Sequence, residues 1–257
     1  MPINLHDTLS DPLKAILEFT YPVVRMDKDA IPEQIATCVF VQVDGSNYLV
    51  SAGHALRDFV GAIHTRGHEK LAVVTGKVAL TGLDKDGKDH IDLAVLKVES
   101  DFIAANKINV VTQTRFSTSV IVENPHSRLI SGYPISKNKN AFDRKTGVFN
   151  GYSHTYFGFA ECDVDFSLFK KSTQDHIGME YTEAIDGSGK VFTTPIHPRG
   201  ISGGGAWLLP DLRRPEMFFL EGIFIELHPN GKKRYAFSVR LEHVIGFIRQ
   251  LRRDGVW

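Results

Sequence analysis

Cysteine is almost missing from this chain: 257 residues hold two, Cys38 and Cys162. Neither has a second cysteine at metal-ligand spacing, so a disulfide framework and a cysteine zinc site are excluded, and the usage fits a reducing compartment. No run approaches the ~18 apolar residues of a membrane span. The opening MPINLHDTLSDPLKAILEF lacks the basic and apolar regions of a secretory leader. These absences give the expectation of a cytoplasmic protein with no membrane partner. Charge of one sign is also lacking, because 30 Lys and Arg balance 30 Asp and Glu. A nucleic-acid partner is therefore not expected. Arg249, Arg252 and Arg253 read as a solvated helix end, and no metal or cofactor is expected.

Long helical patterns are scarce. Residues 8–19 carry Leu9, Leu13, Ile16 and Leu17 at helical spacing, and Pro22 is expected to end that helix. From about residue 35 the pattern is short β-like runs separated by Gly, Asp, Asn or Pro: ATCVFVQV, YLVSA, KLAVVTG, KVALTGL, DLAVLKV, NVVTQ, STSVIVE, RLISGYP, AECDVDF, AWLL, MFFLEGIFIEL and RYAFSV. Asp44-Gly45-Ser46-Asn47 predicts a hairpin turn. Many short strands with few helices imply an all-β sandwich or barrel. A helix returns at the end, where Leu241, Val244, Ile245, Ile248 and Leu251 share one face and Asp254-Gly255 stops it. The expected division is a helical arm at 1–30, a first β unit at 31–112 and a second at 113–257.

In RGISGGGAWLL, residues 199–209, Ser202 stands among Gly200, Gly203, Gly204 and Gly205. So many glycines carry an entropic penalty unless the backbone needs positive φ or close approach. A serine nucleophile needs a base beside it and fixed donors for its oxyanion. The Gly200 and Ser202 amides are the natural donor pair. The bland alternative is a glycine-rich turn that happens to hold a serine. For the base, His54 follows the strand NYLVSA between small residues that let an imidazole face a cleft, whereas His64 and His68 lie in a polar loop. For the carboxylate, Asp92 sits directly before LAVLKV, and Asp84, Asp86 and Asp89 read as solvated loop residues.

SAGHAL, HIDLAVLKV and GISGGGAWLL together resemble the histidine, aspartate and serine segments of trypsin-like (chymotrypsin-fold) serine peptidases, bacterial-type members included. Order and distance fit: Asp92 follows His54 by 38 residues, and Ser202 follows Asp92 by 110. ISGYP at 130–134 and LEGIFIE at 220–226 are similar to flanking strands of that family, and the resemblance spans roughly residues 35–250. It implies two six-stranded antiparallel β-barrels, with the N-terminal helical arm and the C-terminal helix added. It also implies a His54-Asp92-Ser202 triad and an oxyanion hole from Gly200 and Ser202. The expected activity is serine endopeptidase hydrolysis of protein or peptide substrates.

Departures from the family pattern refine this. Ile201 stands where the zymogen-activated branch has an aspartate, so activation by a new N-terminus is not expected. The floor of the substrate pocket falls at Ile196, which favours an apolar side chain, while His197 beside it would instead favour a polar or acidic one. Ile225, Glu226 and Leu227 are the expected edge strand for substrate backbone, with Glu226 and His228 as further candidates. Gly200-Ile201-Ser202-Gly203-Gly204 also satisfies the G-x-S-x-G motif of α/β-hydrolases, but the order Ser, acid, His and the alternating strands and helices are absent. A trypsin-like domain without activity, used as a binding module, is the alternative class. A regulatory protein partner would restrain a cytosolic peptidase, and residues 1–30 are one place for it to act.

Overall fold

The computed structural model describes residues 13–28, 31–57, 62–68, 70–117, 127–159, 164–181, 183–186, 191–192, 197–211, 214, 216–230 and 233–257. They form two antiparallel sheets with few helices. The first contains β1 (Thr20–Met26), β2 (Pro32–Val43), β3 (Ser46–Ala52), β4 (Ile63–Arg66), β5 (Leu71–Val74), β6 (Val78–Leu80) and β7 (Leu93–Val98). Its spatial order is β5-β4-β1-β2-β3-β7-β6.

The second contains β8 (Ser127–Gly132), β11 (His154–Phe159), β12 (His176–Glu180), β13 (Glu183–Asp186), β14 (Val191–Phe192), β15 (Gly205–Leu209), β16 (Phe219–Asn230) and β17 (Lys233–Arg240). Its order is β12-β17-β16-β15-β8-β11-β13-β14, and β9 (Phe142–Asp143) and β10 (Val148–Phe149) form a separate hairpin. The sheets therefore have seven and eight strands rather than six and six. Among the described residues no ladder joins the two edges of either sheet. The second does curl: the ring of Tyr156 in β11 stacks on that of Tyr181, just past β12, with centroids 4.7 Å apart.

The run in β2 explains how the sheets pack. Successive side chains of a strand point to opposite faces. Val39, Val41 and Val43 enter a core shared with Trp207, Phe218 and Ile223 of the second sheet. Cys38 and Phe40 enter a separate core with Leu49 and Leu96 of the first. With both faces covered, the strand reads as a continuous apolar run. The β2–β3 hairpin turns on Asp44 (φ 47°) and Gly45 (φ 79°), the two positive-φ positions of a two-residue turn.

Several expectations need correction. Residues 13–17 are helical, but the expected arm does not remain helical to residue 30, since Thr20–Met26 pairs with β2. Pro22 lies inside that strand instead of ending the helix. Its missing N–H is tolerated because β4 meets β1 at Val24 alone. NVVTQ is no strand: only an isolated bridge at Val111 and a 3₁₀ turn at Gln113–Arg115 occur there. STSVIVE and AECDVDF, Cys162 included, lie largely outside the described residues.

The last helix (Leu241–Arg253) buries Leu241, Val244 and Ile248 against the shared core, as its spacing predicts. Arg249 is not simply solvated. Its guanidinium holds the Asp44 carboxylate through bonds of 3.0 and 2.9 Å, docking the helix on the hairpin turn. No helix among the described residues is long and apolar enough to cross a membrane.

Candidate functional site

Strand register brings His54 and Asp92 together. Ala52, at the end of β3, pairs with Leu93, at the start of β7. His54 lies two residues beyond that pair, in the single helical turn Gly53–Leu56, and Asp92 lies one residue before it. The Gly53 amide donates to the Asp92 carbonyl at 2.7 Å, and the His54 amide to Asp92 Oδ1 at 2.6 Å. His54 Nδ1 lies 2.6 Å from Asp92 Oδ2. A Cβ at position 53 would sit 3.0 Å from Asp92 Oδ1, so the glycine permits this approach.

Asp92 itself is at φ 54°, a left-handed conformation unusual outside glycine and associated with functional sites. Asp89 holds it there. Asp89 Oδ1 accepts the Asp92 N–H at 2.7 Å, and Oδ2 accepts from Thr81 Oγ1 and Arg57, each at 2.6 Å. The Asp89 carboxylate is buried, not solvated as expected, with 6% of its side chain exposed. The signal was available in the sequence: an Asp three residues before another, in a loop entering a strand, can accept its partner's N–H.

The Ser202 turn is keyed onto β2. Thr37 N–H donates to the Ser202 carbonyl at 3.0 Å, and Thr37 Oγ1 donates to the Gly200 carbonyl at 2.8 Å. Gln34 Nε2 donates to the Tyr133 carbonyl. Gly203, at φ 89°, leaves no room for a side chain, because a Cβ would run into the Thr37 carbonyl and the Ser51 hydroxyl. Ile201 is wholly buried in a cluster with Ile130, Tyr156 and Phe224.

Within this turn the amides are used unequally. The amides of Arg199, Ile201, Gly203 and Gly204 donate to His197 Nδ1 and to the carbonyls of Pro198, Phe224 and Ile201. Among the described residues, those of Gly200 and Ser202 have no acceptor. Unpaired N–H groups around a buried glycine are uncommon. Each is left free to donate to an oxygen acceptor.

His54, Asp92 and Ser202 line one cleft of about 1010 Å³. No hydrogen bond joins Ser202 to His54. Glu226 lines the same cleft, its carboxylate paired with Lys171 Nζ and 2.8 Å from His228 Nε2. Lys171 is 7% exposed, a buried cation the sequence reading missed. Burial works to raise the Glu226 carboxyl, but the Lys171 bond and charge, with His228, hold it below its ordinary range. The Asp92 hydrogen bond, followed by the charges of Asp92 and Glu226, raises His54 against the opposing effect of burial.

Ile225, Glu226 and Leu227 sit where β16 loses a neighbour. β15 pairs β16 only as far as Ile223, whereas β17 continues to Asn230. One edge of 225–227 thus carries no ladder among the described residues. Ile225 is itself buried in the core and Glu226 half-buried. His197 and His228 line the cleft, while Ile196 lies outside the described residues.

A histidine oriented by a carboxylate, a serine in the same cleft and two open amides can together support proton transfer and stabilise an oxyanion. No family model matches the chain, and no curated protein matches it. Among solved structures, one reported with the aromatic interactions that drive coupled folding and binding of the Sesbania mosaic virus VPg protein is similar over 88% of this chain and 89% of its own. Its TM-score is 0.49 and its identity 12%. None of these comparisons names a peptidase. The antiparallel all-β architecture is compatible with a chymotrypsin-like fold.

Proposed function

We propose that this protein is a serine endopeptidase with a chymotrypsin-like arrangement of two β-barrels. His54 takes the Ser202 proton as Oγ attacks a peptide carbonyl, then returns it to the leaving amine, and water releases the acyl group in a second round. Asp92 fixes the His54 tautomer and stabilises the imidazolium. The Gly200 and Ser202 amides hold the oxyanion. The observation that carries the proposal is the pair of unbonded amides at Gly200 and Ser202, in a turn where the neighbouring amides are bonded. Substrate backbone adds to the open edge at Ile225–Leu227. Ile201, buried and apolar, supports activity without a new N-terminal ion pair. A cytoplasmic location and restraint by a partner protein complete the proposal.

One observation favours the alternative, a silent binding module: Ser202 and His54 share no hydrogen bond. Such bonds often tighten only when substrate is bound. A fluorophosphonate probe separates the two. Wild-type protein should label at Ser202, and Ser202→Ala should not label at all. Folded wild-type protein that never labels would overturn the proposal.

A further inference from the structure

The charges lining the cleft are unevenly paired. Its carboxylates are all engaged: Asp92 with His54, Asp89 with Arg57, and Glu226 with Lys171 and His228. Four exposed cations in the same lining, Lys88, Lys170, Arg199 and Arg234, have no carboxylate partner among the described residues. The chain as a whole carries no net charge, so this is a local excess. A cleft with low-dielectric walls and one sign of free charge concentrates the opposite charge.

The backbones carrying three of these cations are fixed. Arg199 directly precedes Gly200, with its N–H bonded to His197 Nδ1 and its carbonyl to the Ile135 amide. Lys170 caps the 3₁₀ helix Phe166–Phe169 in the left-handed conformation, φ 55°. Arg234 lies opposite Pro229 in the β16–β17 ladder, three residues along the strand from Glu226. Cations therefore stand along the open edge: Arg199 on the Ser202 turn that bonds Phe224, Lys170 between Phe169 on His228 and Lys171 on Glu226, and Arg234 opposite Pro229. At ~3.3 Å per residue of extended chain, a strand laid along that edge reaches both ends within a few residues.

We propose that the cleft selects peptides with acidic side chains flanking the bond held over Ser202, and that Arg199, Lys170 and Arg234 read those acids. This takes from the proposed function that the cleft receives a peptide. The open edge presents backbone groups suited to an extended peptide. The carboxylates of Asp89, Asp92 and Glu226 within the lining, with only Phe169 and the buried Phe224 as large aromatic side chains there, suit a nucleic-acid strand poorly.

The test uses Ser202→Ala protein, which cannot turn substrate over, and fluorescence anisotropy with labelled peptides differing only in Glu, Gln or Lys at alternate positions. The Glu peptide should bind ~10-fold tighter than the Gln peptide at low salt, and Lys weakest, with the margin shrinking several-fold by 0.3 M salt. Lys170→Gln with Arg234→Gln, and separately Arg199→Gln, should each remove part of that margin with melting unchanged. Equal affinity for Glu and Gln peptides overturns the proposal. So does an oligoribonucleotide that displaces the Glu peptide at equal length and concentration. Fluorophosphonate labelling of wild type keeps the two proposals apart. Labelling without Glu preference loses only this one, and Glu preference without labelling loses only the peptidase.

Discussion

Around His54 and Asp92 the polar groups are taken. Both Asp92 carboxylate oxygens, its N–H and its carbonyl each have a partner, and Asp89 behind them is bonded through both of its own oxygens. Around Ser202 the pattern reverses. The turn's carbonyls are pinned by Thr37, but the Gly200 and Ser202 amides and the Ser202 hydroxyl have no partner among the described residues. The first arrangement fixes the orientation of a ring before any ligand arrives. The second leaves donors without an acceptor on a backbone whose carbonyls are held. Preorganisation in both senses suits the catalytic role proposed above.

The largest effect should come from breaking the fixed half. Asp92→Asn keeps an acceptor for the His54 amide but presents the ring with the wrong partner, so kcat should fall by about 10⁴-fold. Probe labelling should slow in parallel while the fold melts normally. A loss below tenfold would mean that Asp92 is only a strand-start cap.

On the open half, Gly203→Ala drives a methyl into the Thr37 carbonyl and the Ser51 hydroxyl at φ 89°. About 3 kcal/mol of stability should be lost, a melting point lower by about 10 °C. Thermal melting of the variant checks this. A neutral result would show that the turn can shift, and that the two open amides are not held in place.

Behind Asp92, Asp89→Asn should cost about 2 kcal/mol in urea unfolding, since it weakens hydrogen bonds to a buried charged group and leaves Arg57 without its carboxylate. An unchanged midpoint would remove Asp89 from the network.

How much of this was legible in the sequence follows from the range of the forces involved. The β2–β3 hairpin and the last helix were readable because period and turn chemistry are local. His54 and Asp92 were readable as partners and Ser202 as part of the same cleft because each sits in a short stretch with its own composition, and one antiparallel register brings the first two together. The Asp89 bond to the Asp92 N–H had a local signal, but the burial of Asp89 and of Lys171 depends on tertiary partners, Arg57 with Thr81 and Glu226. β1 was missed because Pro22 argues locally against a strand, and only its neighbours in the sheet make the missing N–H harmless. Strand counts were set by the family resemblance rather than by residues, and there the sheets differ.

The smallest expected effect links the two halves through Glu226. A general base works in its neutral form, so activity should fall as pH drops through the His54 value. That value lies above the ordinary ~6.5 because the hydrogen bond and charge of Asp92 favour the imidazolium, with Glu226 adding to them. Glu226→Gln withdraws the more distant charge and should move the acid limb of kcat/KM downward by a few tenths of a pH unit. For folding the sign is opposite. A value raised in the folded state means that protonated His54 favours the fold, an effect complete below the unfolded value near ~6.5 and lost as pH rises through the folded one. Beyond the loss from leaving the buried Lys171 cation without its carboxylate, Glu226→Gln should therefore trim slightly the part of stability that depends on acid pH while extending activity there. The pH dependence of melting and of rate in the two proteins measures both shifts, and movement of both in the same direction would remove Glu226 as a contributor to the His54 charge.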